Sequence, residues 1–102
     1  MRDIARDQLL AELRALRPEF ERRGVLRMAL FGSRARGDNH PDSDVDVVIE
    51  PDPGREFSGL NAASILGVIE DNIGLESSVV VLDRFTPADF VAAVERDRLP
   101  VF

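Results

Sequence analysis

The sequence predicts an α+β (α/β) fold, a small mixed β-sheet packed with helices. Three observations lead there. Apolar residues recur at helical spacing over 3–16 and 60–73, while 45–49 and 77–82 are short runs dense in Val and Ile. The segments follow the order helix, strand, short helix, strand, helix, strand, helix. And 102 residues, 44% hydrophobic and 31% charged, suffice for one domain over 1–102 with a modest core.

The elements follow in chain order. Ile4, Leu9, Leu13 and Leu16 mark an amphipathic helix over 3–16, with Asp3 as a plausible N-cap. Pro18 suits the first turn of a second short helix that ends at Arg23, before Gly24. Residues 26–31 (LRMALF) read as a strand, and 32–37 as a turn that opens a short helix. A second strand covers 45–49, and Pro51 to Gly54 (PDPG) is a turn. Ile65, Leu66, Val68, Ile69 and Ile73 give a helix over 60–73 closed by Gly74. A third strand covers 77–82. Thr86-Pro87-Ala88-Asp89 has the form of a capping box ahead of a helix from 87 to about 94. The apolar end, 99–102, is expected to dock on the core.

Composition removes whole classes of function. There is no Cys, which excludes disulfides, thiolate zinc sites and a cysteine nucleophile. A single His excludes a His-rich metal site. All 13 basic residues are Arg, so neither a Schiff-base lysine nor a P-loop lysine exists. A net charge of −6 argues against duplex nucleic acid as a partner. No apolar run approaches the ~20 residues that span a bilayer. The first ten residues lack the order of a signal peptide, so a cytoplasmic location and no membrane partner are expected.

Six acidic residues lie between 38 and 52: Asp38, Asp42, Asp44, Asp46, Glu50 and Asp52. Most acidic runs are solvated faces. Here Asp44 and Asp46 stand two apart on a segment of strand character and so share a face, roughly 6–7 Å apart. Such carboxylates repel unless a cation neutralises them, and Mg²⁺ takes this kind of oxygen ligand together with substrate phosphates. Directly after a strand comes Gly32-Ser33-Arg34-Ala35-Arg36-Gly37. Gly32 leaves room for a ligand near the backbone, and Ser33 offers a hydroxyl and an amide. Alone, such a turn is weak evidence.

Together the two elements are specific. The string Phe31 to Ile49, FGSRARGDNHPDSDVDVVI, resembles the signature of the polymerase-β nucleotidyltransferase superfamily. It is closest to the minimal nucleotidyltransferases (MNT), the antitoxin members of HEPN/MNT toxin–antitoxin pairs, and the likeness covers nearly the whole chain. The resemblance implies the polymerase-β-type nucleotidyltransferase fold and Mg²⁺-dependent transfer of AMP from ATP to a hydroxyl of a partner HEPN toxin. It implies that Gly32 and Ser33 hold the β- and γ-phosphates and that Asp44 and Asp46 bind Mg²⁺. Arg34, Arg36 and Ser43 would support the triphosphate or brace the loop. The alternative is a weakly active or inactive binding module that neutralises its toxin by complex formation.

One position departs from the pattern. The family's third carboxylate aligns with Ser78, whose hydroxyl is neither a carboxylate base nor a good metal ligand. Glu76, two residues earlier, is the nearest same-face acid and a candidate catalytic residue, displaced by about 7 Å along the strand. Asp83 has the opposite parity. His40 reads as solvated, as does the Arg22-Arg23 pair at a helix end. Phe57, Phe85, Phe90 and Phe102 read as core or partner-facing.

Overall fold

The computed structural model describes residues 4–83 and 85–102. The expected cap Asp3 lies outside them. Helix α1 (Arg6–Ala15) buries Leu9, Leu10 and Leu13, the stripe set by its spacing. Leu16 joins it to α2 (Arg17–Arg22), where Pro18 sits in the first turn and Phe20 is buried. Strand β1 (Val25–Phe31) leads through Gly32 into α3 (Ser33–Arg36). Then follow β2 (Val45–Pro51), α4 (Gly59–Ile73), β3 (Ser77–Val81), α5 (Ala88–Asp97) and β4 (Leu99–Pro100).

The four strands form one mixed sheet in the order β3-β2-β1-β4. β1 runs antiparallel to β2 and β4, and β2 runs parallel to β3. The parallel pair needs a crossover, and α4 supplies it. Period-two alternation splits β2 between two layers. Val45, Val47 and Ile49 are fully buried against α1, α2 and α4 with Met28 and Leu30. Asp46, Val48 and Glu50 face the other way. There Val48 meets Ala29 of β1 and Val94 of α5 in a small second cluster edged by Phe31 and Leu82. Each fully buried large side chain in the main core contributes roughly 1.5–3 kcal/mol.

The structure differs from the sequence expectations in four places. Leu99 and Pro100 form a strand, paired to Leu30 and Ala29, where only a docked end was expected. Long-range clamps hold it: Arg14 donates to the carbonyls of Val101 (3.0 Å) and Pro100 (2.9 Å), and Phe102 stacks on Phe20 at 6.3 Å. Thr86 does not cap α5. Pro87 is the N-cap, and the Thr86 hydroxyl instead accepts the Asp83 N–H at 3.1 Å within a tight turn. The cap that does form is at α4, where the Asn61 side-chain oxygen accepts the Ser58 N–H at 3.0 Å. And Arg23 is not a solvated end: it bridges to Ser64 of α4 at 2.7 Å and to Glu19 at 2.8 Å.

Candidate active site

The site starts at the end of β1. Phe31 pairs with Asp46 in the antiparallel register, so the chain must turn beside that carboxylate. Gly32 makes the turn at φ 76° and ψ −159°, a conformation essentially reserved for glycine. A Cβ there would stand 2.6 Å from Asp46 Oδ2. The Gly32 backbone and the Asp46 carboxylate therefore lie against each other, with no room for a side chain. The N–H groups of Ala35 and Arg36 both donate to the Gly32 carbonyl at 3.1 Å, which winds α3 directly from the turn. Gly37, in the left-handed region, ends it.

Asp44 is exposed just before β2, and Asp46 is its second residue, half-buried. Burial pushes the Asp46 carboxyl above the usual aspartate range, the negative charge of Asp44 adds to the rise, and the positive charge of Arg36 opposes it. Burial leads that rise, with the Asp44 charge second. The donor set suits a hard divalent cation such as Mg²⁺: carboxylate oxygens, one partly desolvated, beside a glycine cradle that a Cβ would fill.

The flanking residues divide into two groups. Arg34 is buried at 2% exposure, and its guanidinium donates to the carbonyls of Ser43 (2.9 Å) and Pro41 (3.2 Å). The Ser43 hydroxyl accepts the His40 N–H at 2.9 Å and so closes the turn ahead of Asp44. His40 itself is exposed. Arg36 is exposed and ion-paired to Asp38 (3.1 Å) and to Asp97 of α5 (2.9 Å). Hydrogen bonding from Arg36 holds the Asp97 carboxyl below its usual range. Ser33 is half-exposed at the start of α3, its carbonyl accepting from Gly37 and Asp38.

On the other side of β2, Ser78 is in register with Asp46. The position aligned with the third carboxylate is thus the strand neighbour of Asp46, and a serine fills it. Glu76 precedes β3. Its carbonyl accepts the Val45 N–H at 2.9 Å, while its exposed side chain lines a cavity of about 380 Å³ with Asp42, Ser43 and Leu75. Among the described residues, no group of three or more His, Cys, Asp or Glu side chains is gathered to hold a metal ion. Glu76 therefore does not join Asp44 and Asp46 in such a group.

Sequence reasoning did not find the burial of Arg34 or the partnership of Asp97 with Arg36. No local signal exists for either. The resemblance leaves Arg34 between supporting the triphosphate and bracing the loop and says nothing of its burial, and Asp97 lies 61 residues from its partner. The aromatic rings are structural where they are paired: Phe31 meets Phe90 edge-on at 6.1 Å. No helix among the described residues is long and apolar enough to cross a membrane.

Residues 13–100 match the family model of a nucleotidyltransferase domain. Among solved structures, one described as a minimal nucleotidyltransferase superposes with a TM-score of 0.79 at 28% identity, over 95% of this chain and 96% of the other. A chain of a toxin–antitoxin crystal structure with AMP-PNP gives 0.69 at 15% identity, over 87% and 72%. A chain from the complex of a tri-AMPylated Shewanella oneidensis HEPN toxin with its MNT antitoxin gives 0.64 at 10% identity, over 91% and 71%. At those identities the last two share the fold. No curated protein matches the chain.

Proposed function

The chain belongs to the nucleotidyltransferase domain family, here in the minimal form of the polymerase-β superfamily, and from that premise we propose that it transfers AMP from ATP to a protein hydroxyl on a HEPN-type toxin and so acts as an antitoxin. The observation that carries the reading is the contact of the Gly32 turn with Asp46, which joins the phosphate-cradle segment to the carboxylate pair. The partner class is supported by the fold shared with chains from toxin–antitoxin complexes, one containing AMP-PNP and one a tri-AMPylated toxin.

In this reading Asp44 and Asp46 hold Mg²⁺, which when bound supplies positive charge for the triphosphate and the leaving pyrophosphate. The Gly32-Ser33 turn seats the β- and γ-phosphates, and Arg36 adds a cation beside them. The acceptor oxygen bonds to the α-phosphorus, the bond from that phosphorus to the oxygen bridging to the β-phosphate breaks, and pyrophosphate leaves. Ser78 cannot accept the hydroxyl proton as a carboxylate would, so the proton passes to solvent or to Glu76 from its displaced position.

The register of Ser78 with Asp46 also favours a second reading, a slow or inactive module that restrains its toxin by binding. General-base assistance is worth ~10²–10⁴-fold, so its loss leaves binding intact while slowing transfer. One experiment tests both readings. The protein is incubated with ATP, Mg²⁺ and the product of the adjacent gene, and the partner's intact mass is followed. A gain of one or more AMP units supports transfer. A stable complex with no mass change supports the binding module.

A further inference from the structure

The buried guanidinium of Arg34 is the least expected feature of the molecule. It is the buried charged residue of the described chain, at 2% exposure, and no carboxylate among the described residues pairs with it. Burying a cation without a counter-ion is costly. A methionine would fill similar volume without desolvating a charge. What the arginine adds is a rigid fork of donors. The fork reaches two backbone carbonyls, Pro41 and Ser43, that bracket Asp42 and end on the residue just before Asp44.

The start of α3 has a second tie. Gly32, its N-cap, lies against the Asp46 carboxylate. A single turn of helix thus touches Asp46 through its cap and the loop before Asp44 through Arg34. Besides the backbone through Val45, α3 thus links the loop before Asp44 to the turn beside Asp46. Asp44 lies just before β2: the peptide after it is held by the segment entering β3, through the Val45 N–H to the Glu76 carbonyl at 2.9 Å, and the Ser43 carbonyl before it is held by Arg34 at 2.9 Å. Mg²⁺ demands near-octahedral oxygens at short distances and tolerates little displacement.

We propose that Arg34 is a positioning residue: through the carbonyls of Pro41 and Ser43 it sets Asp44 against Asp46 and preorganises the pair for a divalent cation. This rests on the reading of Asp44 and Asp46 as metal ligands. Arg34 does not touch the triphosphate in this account. Its charge is spent on the loop, and Arg36 is the arginine exposed to the site.

The test uses Mn²⁺ as the probe, with free ion followed by electron paramagnetic resonance and the fold by circular dichroism and thermal unfolding. Arg34→Lys keeps the charge but lacks the planar fork that spans the two carbonyls, and Arg34→Met removes the charge. Leu13→Ala, in the main core on α1 and with no hydrogen bond to the loop, is the control for general destabilisation. The expected result is a folded Arg34→Lys protein that binds Mn²⁺ at least tenfold more weakly, while folded Leu13→Ala binds like wild type. Arg34→Lys with unchanged Mn²⁺ affinity and a lowered melting temperature would overturn the proposal, as would an equal loss in Leu13→Ala. Failure of both Arg34 variants to fold would make the guanidinium a folding requirement and also overturn it. The Asp44→Asn arm separates the underlying reading. Wild-type affinity in that variant, or no binding by the wild type, sinks the metal assignment itself and the proposal with it.

Discussion

The two faces of the central strand β2 differ in kind. On one, Val45, Val47 and Ile49 are fully buried under α1, α2 and α4. On the other, Val48 is covered by α5, while Asp46 and Glu50 are left partly exposed to either side. Stability resides on the first face and the candidate chemistry on the second. Because the alternation is that of a single strand, a change of function on one face need not disturb the core on the other.

The largest expected effect is on the core face. Phe20→Ala removes a fully buried ring that also stacks on Phe102, and should cost about 3–5 kcal/mol in chemical denaturation. If the separation of the faces holds, the fraction still folded binds Mg²⁺–ATP normally. Gly32→Ala comes next and crosses from one concern to the other. The backbone strain should cost roughly 1–3 kcal/mol, and the added methyl, which would stand 2.6 Å from Asp46 Oδ2, must push that carboxylate aside. Isothermal titration should show Mg²⁺–ATP affinity falling at least ~tenfold, on the order of the 1.4 kcal/mol that a decade represents.

Ser78→Asp sharpens the comparison by adding chemistry to the site face alone. It places a carboxylate in register with Asp46 and should raise the transfer rate at least ~tenfold, within the range of general-base assistance. Glu76→Gln should reduce the remaining rate if that carboxylate assists from its displaced position. A native enzyme already fast and indifferent to Ser78→Asp would place the third carboxylate elsewhere.

The smallest effect is a pH dependence. The raised pKa of Asp46 means the folded chain binds this proton more tightly than the unfolded chain does. Its contribution to stability is therefore present below the ordinary aspartate value of about 4 and is lost as pH rises through the folded value. Asp46→Asn should raise the melting temperature of the metal-free protein near neutral pH and flatten the curve just above pH ~4. A lowered melting temperature at neutral pH would mean that the ionised carboxylate stabilises the apo protein.

Much of the fold is legible in the sequence because its elements are periodic. The stripe of Leu9 and Leu13, the run at Val45 to Ile49, and Gly74 closing α4 all act locally. β4 is not legible. Two residues carry no period, and it exists because Arg14, Phe20 and the edge of β1 hold it from far along the chain. The cap of α5 was misplaced because Thr86 has a competing partner in Asp83, a choice between two local hydrogen bonds that composition does not rank. At the site, Gly32, Ser33, Asp44 and Asp46 stand out through spacing and resemblance, and the structure sets Gly32 against Asp46. The division of labour between Arg34 and Arg36 depends on burial and on contacts with Ser43 and Asp97, which no local pattern encodes.

The central claim is that Asp44 and Asp46, beside the Gly32 turn, form the cation-dependent seat of a nucleoside triphosphate. The most direct test is calorimetric titration of ATP into wild type and into the Asp44→Asn, Asp46→Asn double variant, each with Mg²⁺ and with EDTA, with circular dichroism recorded on the same samples. The account predicts binding by the wild type only with Mg²⁺, and none by a double variant whose fold is unchanged. Equal ATP affinity in the double variant, or wild-type binding that ignores Mg²⁺, would contradict it.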